Sequence, residues 1–414
     1  MAGSASPSDI RPASTARYSK KRDAIIAAAS RLINRHGVSG MTLSAVGAEV
    51  GLITNSVTYY FKKKEDLALA CYLDGAARLT ALLKEALKEE DPPRRVKRFL
   101  ALCLDAQRLV RAGAAAPFPY FNDVRALPEE RGHAMRAPFA ELYSGARDLF
   151  RGEGYEWIGG PGRLVRAGIL LEYIYWLPAW LEEYDLEDMP RVGARICDVL
   201  LGGIAAPGFS WEARPLIQPP EPEADKQQRA RDAYLMAATK LINQHGYRGV
   251  SVRNISAELN FTTGAFYHHH DAKSDIVIAC FERSFEVMRR LQHCAIDQTE
   301  NKWQALCAAS AAIVDYQISE HGPLLRSAAL TAVPEEIREE LMHHSNRVSM
   351  RFAGMISDGV ADGVLRAVDP SIASQMLHAA LNAAAELPFW VPELDRTRAA
   401  RLFARPMLMG LFTR

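Results

Sequence analysis

Apolar residues recur along this chain at helical rather than strand spacing. Ile25, Ile26, Ala29, Leu32 and Ile33 fall at i, i+1, i+4, i+7 and i+8, which makes one stripe along a helix. His36-Gly37 then supplies a C-terminal stop. The same arrangement returns at Leu235, Ala238, Leu241 and Ile242, ahead of His245-Gly246. Thr42 and Ser251 stand as candidate N-caps of a short second helix, with apolar positions at Leu43, Val46 and Val50 or at Val252, Ile255 and Leu259. A brief turn precedes a third short helix near 54–60 and near 263–269. No convincing run of strand-like alternation occurs, so the expected class is all-α.

The recurrence is a duplication of the whole chain. At an offset of 209, Leu32-Ile33-Asn34-Arg35-His36-Gly37 faces Leu241-Ile242-Asn243-Gln244-His245-Gly246, Lys64 faces Lys273, and Cys71 faces Cys280. Ala126-Leu127-Pro128-Glu129-Glu130 resembles Ala332-Val333-Pro334-Glu335-Glu336 at an offset of 206, and Leu177-Pro178-Ala179-Trp180 resembles Leu387-Pro388-Phe389-Trp390 at 210. A solenoid repeats every 20–50 residues. This chain instead carries two copies of a unit of roughly 200 residues, within the ordinary size range of domains. Between them, residues 207–226 hold five prolines and several acids, the composition of an extended linker. Twenty such residues reach roughly 60 Å at most, enough for two units to lie side by side.

Composition sharpens the picture only through charge. The 414 residues sum to +1, yet residues 1–64 carry ten Lys or Arg against three acids, and residues 226–273 carry seven against three. Two basic islands in an acidic body suit a polyanion. They occupy equivalent places in the two repeats. Six cysteines without a CxxC pair indicate neither a disulfide framework nor a zinc site, and a reducing cytoplasm is expected. No apolar run reaches the ~18 residues of a membrane span. No phosphate loop, nucleophile elbow or metal-ligand spacing supports an enzyme. Three consecutive histidines, His268-His269-His270, point about 100° apart on a helix and cannot converge on one ion, so no metal and no cofactor is expected.

Short helices joined by a tight turn in a basic setting describe a helix-turn-helix. The segments Gly51–Leu67 (GLITNSVTYYFKKKEDL) and Asn260–Ile276 (NFTTGAFYHHHDAKSDI) resemble the signature of the TetR family of transcriptional regulators. A recognition helix presents small or polar residues to base edges and hydroxyls or amides to phosphates. Thr54, Asn55, Ser56, Thr58, Tyr59 and Tyr60 are the candidates in the first copy, with Thr42 at the preceding cap. Thr262, Thr263, Gly264, Tyr267, His268 and His269 are those of the second, with Ser251 and Arg253 ahead of them. The resemblance places Tyr59 and His268 at the aromatic contacting position, and Lys64 and Lys273 at the lysine that meets phosphate. The copies depart from the family pattern differently. Asn55 stands where Gly is favoured, Thr58 where Tyr is, and Ile53 replaces the hydroxyl cap, so that Thr54 is expected to cap one residue later. His270 replaces the usual Phe. Different residues should read different bases, which predicts an operator with two unequal half-sites. The residues Arg11, Arg17, Lys20, Lys21 and Arg22 could serve as an arm on the DNA.

The resemblance also implies the layout. A tail is expected over 1–18, helix-turn-helix domains over 19–70 and 227–280, and helical regulatory domains over 71–206 and 281–414. In the family the last two helices of each unit build a four-helix bundle between subunits. Here ~163–183 with ~190–204 would meet ~370–390 with ~396–412 inside one chain, making a monomeric pseudo-dimer, with a homodimer also possible. The recognition helices would lie about one DNA turn apart, roughly 34–36 Å. The partners implied are double-stranded operator DNA and a small apolar or aromatic effector, with no membrane. Phe118, Phe121, Tyr143, Tyr173, Trp176 and Trp180 are the candidate pocket lining, in the more aromatic first copy. Repression is the commoner role in the resembling family. The alternative is a ligand-binding or interaction protein in which one helix-turn-helix has lost DNA.

Overall fold

The computed structural model describes residues 11–217, 226–258, 273–333, 335–392 and 394–414. Among the described residues the fold is all-α: there is no β-strand, and one isolated antiparallel bridge joins Ala205 to Leu365. The first unit runs α1 (Arg11–Gly40), α2 (Leu43–Glu49), α3 (Thr54–Tyr60), α4 (Lys64–Ala86), α5 (Pro92–Arg111), α6 (Glu129–Ala134), α7 (Arg136–Asp148), α8 (Gly159–Glu182) and α9 (Met189–Gly202). The second runs α10 (Lys226–Gly249), α11 (Val252–Glu258), α12 (Lys273–Asp297), α13 (Lys302–Gln317), α14 (Glu335–Ala361), α15 (Pro370–Ala383), α16 (Leu387–Trp390) and α17 (Arg396–Met409). A 3-10 turn at Phe121–Ala126 has its counterpart at Ser327–Ala332.

Local chemistry sets these boundaries in parallel. Asp91 caps α5 by accepting from the Arg94 amide at 2.9 Å, and Asn301 caps α13 by accepting from the Gln304 amide at 3.0 Å. The stripe helices bend at Gly37 and Gly246, whose φ of 66° and 72° costs a glycine little and any β-carbon more. Buried Cys71 and Cys280 donate to the carbonyls of Ile26 and Leu235, locking α4 and α12 onto α1 and α10 in the same register. Helix α1 begins at Arg11, so the tail expected over 1–18 is helix from that residue on, whereas residues 1–10 lie outside the described residues.

The bundle pairs the units. Helix α8 packs on α15, α16 and α17, and α9 packs on α15. Helices α9 and α17 end at glycines that touch: a Cβ on Gly203 would lie 2.3 Å from the Met409 carbonyl carbon, and one on Gly410 would lie 2.3 Å from the Leu201 oxygen. The residues just past those glycines exchange bonds, Ile204 N–H donating to Leu408 at 2.8 Å and Leu411 N–H donating to Leu200 at 3.0 Å. Arg366 ties the crossing by donating to Asp198 at 2.7 Å and to the Gly203 carbonyl at 2.7 Å. Apolar residues of both units merge into one core, while the second helix-turn-helix has a smaller core around Tyr234, Leu235, Ile242 and Phe281. The described part of the linker is pinned along unit two: the Trp303 indole donates to the Ser210 carbonyl, and Gln298 pairs both ways with the Ile217 backbone.

Candidate nucleic-acid interface and a cavity between the units

The first helix-turn-helix is built from small distances. Thr42 caps α2, its hydroxyl accepting from the Ala45 amide at 3.1 Å. The turn is closed by the Leu52 amide bonding to the Gly47 carbonyl at 2.8 Å, and a Cβ on Gly47 would come within 2.6 Å of the Leu52 oxygen. Helix α3 is anchored by fully buried Val57, so its opposite side faces outward. Thr54, Asn55 and Tyr59 are exposed, while Ser56, Thr58 and Tyr60 are half-buried. Tyr59 is 75% exposed, unusual for a ring of that size. The cap expected from Thr54 is absent: Thr54 is the first helical residue, and Ile53 occupies the N-cap without a side-chain bond. Thr58 turns back on its own helix and donates to the Asn55 carbonyl at 2.9 Å.

Lysines flank this surface. Lys62 and Lys63 are exposed and Lys64 is half-buried at the start of α4. Arg17, Lys20 and Lys21 are exposed on α1. Tyr18, which sequence reasoning passed over, lies with its ring centroid 4.8 Å from that of Tyr60 and 6.2 Å from that of Tyr59. The α1 extension thus braces the recognition helix through an aromatic cluster. No local pattern marks Tyr18, because the contact needs a helix through a Ser- and Ala-rich stretch that reads as a tail.

In the second copy, Ser251 accepts from the Asn254 amide at 3.2 Å ahead of α11, and Arg253 is exposed. Thr262, Thr263, Gly264, Tyr267, His268 and His269 lie outside the described residues. Lys273 opens α12 with its ammonium 4.5 Å from the centroid of the Tyr247 ring.

A cavity of about 720 Å³ lies between the units. Its first-unit wall includes Phe121, Phe139, Tyr143 and Tyr175, and its second-unit wall includes Tyr247, Phe389 and Trp390. Of the residues expected to form a pocket, Phe121 and Tyr143 line it. Phe118 borders a far smaller space of about 20 Å³ inside unit one. Tyr173, Trp176 and Trp180 line neither: Tyr173 packs on Trp180 at 5.9 Å between ring centroids, and the Trp176 indole donates to Glu172 at 3.0 Å. The expectation of a pocket within the first copy gives way to a cavity that both copies share. Burial pushes the Tyr143 phenol up to about 12 and that of Tyr175 well above its ordinary value.

One edge of the cavity is a closed charge network. Arg326 donates to Glu172 at 3.0 Å and to Glu386 at 2.8 Å, while Arg125 donates to both Glu386 oxygens at 2.9 Å and also to the Asn243 carbonyl. Burial alone would lower the Arg326 pKa, but the Glu172 and Glu386 carboxylates reverse this and hold it above the usual guanidinium value. Burial would raise Glu386, yet Arg326 and Arg125 bring it below the ordinary carboxylate value. Among the described residues no three His, Cys, Asp or Glu side chains gather as a metal site, and no helix is long and apolar enough to cross a membrane.

A capped short helix, a glycine-closed turn and an outward polar helix among lysines define a helix-turn-helix DNA-binding regulator. The family model for bacterial regulatory proteins of the tetR family matches residues 25–71 and again 235–280, and the tetracyclin repressor-like C-terminal domain matches residues 299–386. The chain belongs to the TetR family of transcriptional regulators, with the family unit duplicated. It is similar to the transposon Tn10 TetC protein of Escherichia coli, 32% identical over 89 residues, which are 22% of this chain. The match spans 45% of that relative's length. Among solved structures, apo AibR is 18% identical, covering 43% of this chain and 98% of its own with a TM-score of 0.36. The TetR family regulator PfmR from Thermus thermophilus is 21% identical, covering 44% and 99% with a TM-score of 0.35.

Proposed function

We propose that this chain is a ligand-responsive, non-enzymatic repressor that sets two non-identical helix-turn-helix motifs on one operator with unequal half-sites. The observation that carries the reading is α3, which holds Thr54, Asn55 and Tyr59 outward on a helix anchored by Val57, beside exposed Lys62 and Lys63. Asn is suited to a bidentate contact with adenine, and a Thr methyl to the thymine methyl. The second copy brings Thr262, Thr263, Gly264, Tyr267, His268 and His269 to the equivalent sequence positions, so it reads a different half-site. Ser251 and Arg253 would approach the flanking phosphates there, as Thr42 and Tyr60 would in the first copy. Because α8 and α9 already find their partners α15 to α17 within the chain, one chain does the work of a family dimer. Selection of bound sequences from random DNA tests the operator: an asymmetric consensus is expected, and a perfectly palindromic one refutes it. Light scattering tests the assembly: a particle of 45.8 kDa is expected, and one of twice that mass refutes the monomer.

A further inference from the structure

The cavity between the units is of the size that holds small ligands, which is about 300–1,000 Å³. Its charge is not balanced. Arg125 and Arg326 are spent on Glu172 and Glu386, whose oxygens are in turn taken by those guanidiniums and the Trp176 indole. The remaining charged lining residue is Arg136, exposed in the first turn of α7 and without an ion-pair partner among the described residues. The lining therefore holds three guanidiniums against two carboxylates, with the surplus at one place. A second polar group is also unspent. Tyr175 lines the cavity, and its buried hydroxyl has no hydrogen-bond partner among the described residues. A buried hydroxyl left unsatisfied costs free energy.

The repeat makes this site single. At the offsets that relate the units, Tyr120 stands where the second unit has Arg326, Asn382 where the first has Glu172, and Ser349 where the first has Tyr143. The charge network and the aromatic wall cannot be rebuilt at the pseudo-symmetric position from these residues.

We propose that this inter-unit cavity binds one small amphipathic anion per chain, a planar apolar or aromatic body bearing a carboxylate or sulfonate that Arg136 receives. The proposal rests on the reading of the chain as effector-responsive and names the chemistry of the effector. The aromatic walls take the body between the units. An ammonium ligand would meet the same walls but would find the carboxylates already engaged and Arg136 repelling it.

The test uses the full chain without DNA, so it stands apart from operator recognition. Anilinonaphthalene sulfonate, its uncharged relative N-phenylnaphthylamine and the cationic dye crystal violet are titrated by fluorescence. The sulfonate is expected to bind once per chain and more tightly than the other two. Arg136→Gln should weaken it by roughly ten- to a hundredfold, the worth of a charge-assisted bond, and leave the uncharged probe unchanged. Ala140→Trp, which narrows the cavity, should weaken both, with the melting curve reporting that the chain still folds. Two sulfonates per chain, a sulfonate affinity indifferent to Arg136→Gln, or preference for the cation overturns the proposal. If Ala140→Trp does not fold, the affinity ratio of the charged and uncharged probes in Arg136→Gln decides alone.

Discussion

Asn34 and Asn243 make the same pair of hydrogen bonds 209 residues apart. Asn34 donates to the Phe118 carbonyl at 2.8 Å and accepts from the Tyr120 amide at 2.8 Å. Asn243 donates to the Leu324 carbonyl at 2.9 Å and accepts from the Arg326 amide at 3.0 Å. Each carboxamide clamps the end of a DNA-binding stripe helix to the segment entering the 3-10 turn of its regulatory body. A turn that shifts must therefore carry the stripe helix with it. The two clamps differ in what they touch next, since Arg326 belongs to the charge network and Tyr120 does not.

Cutting either clamp should loosen one motif and spare the other. Asn34→Ala leaves an amide and a carbonyl unpaired at a half-buried place, a loss of about 1–3 kcal/mol. In hydrogen exchange the Tyr120 amide should lose protection in Asn34→Ala, and the Arg326 amide in Asn243→Ala, each by about tenfold or more. Equal loosening of both turns in either variant would show that the clamps are not independent.

The charge network should make the inter-unit contact acid-sensitive. The fold depresses the Glu386 pKa, so its contribution is present above the ordinary value of 4.5 and is lost as pH falls through the lower, folded value. Denaturation midpoints should therefore drop below about pH 4.5. Glu386→Gln should flatten that acid limb while costing stability at neutral pH. Arg326→Met should cost more, about 3–5 kcal/mol, because it leaves the buried Glu172 carboxylate without its guanidinium, while Glu386 keeps Arg125. A Glu386→Gln protein with the acid limb intact would assign the effect to other groups.

How much of this was legible beforehand depends on sequence separation. The duplication, the stripe helices and the caps at Thr42 and Ser251 are local patterns within a few residues of one another, and local patterns survive into the fold. The network is not local: Arg125 meets Glu386 across 261 positions and Arg326 meets Glu172 across 154. Nothing in either neighbourhood marks these residues, so a cavity between units could not be anticipated. The misplaced lining has a related cause. Helix α8 is apolar nearly all the way round, with Val165, Ile169, Leu170, Leu171, Tyr173 and Leu177 all buried, so its pattern does not separate the side facing the cavity from the side facing α15. Tyr175 is on the former and Tyr173 and Trp176 are not among the lining.

The crossing of α9 and α17 should tolerate no side chain. Both Gly203 and Gly410 have positive φ, 67° and 94°, and a Cβ at either meets backbone of the partner helix at 2.3 Å. Gly203→Ala and Gly410→Ala each combine backbone strain of about 1–3 kcal/mol with a clash that only helix displacement relieves. Both variants should melt several degrees lower and yield less soluble protein. Unchanged melting would mean that the units do not meet through this crossing.

Salt titration separates the two reading heads. A lysine that neutralises one phosphate contributes about 0.9 to the slope of log affinity against log salt. Lys64→Ala and Lys273→Ala should each reduce the slope by about that amount on the selected operator. A Lys273→Ala slope equal to that of the unaltered chain would show that the second motif makes no phosphate contact through this residue.

Tyr247 joins the cavity to a lysine assigned to phosphate. Tyr247 lines the cavity, and its ring carries the Lys273 ammonium at 4.5 Å. A ligand against Tyr247 therefore acts on the lysine assigned to phosphate, and differential binding to the two arrangements is what shifts the equilibrium. Saturating anilinonaphthalene sulfonate should weaken operator binding of the unaltered chain by about five- to a hundredfold, the usual range of coupling between two sites. Tyr247→Leu keeps an apolar wall but removes the ring that seats Lys273. It should bind the probe nearly as well, yet lose most of the effect on DNA. Probe binding with full release in Tyr247→Leu would route the coupling through Asn243 and the 3-10 turn instead.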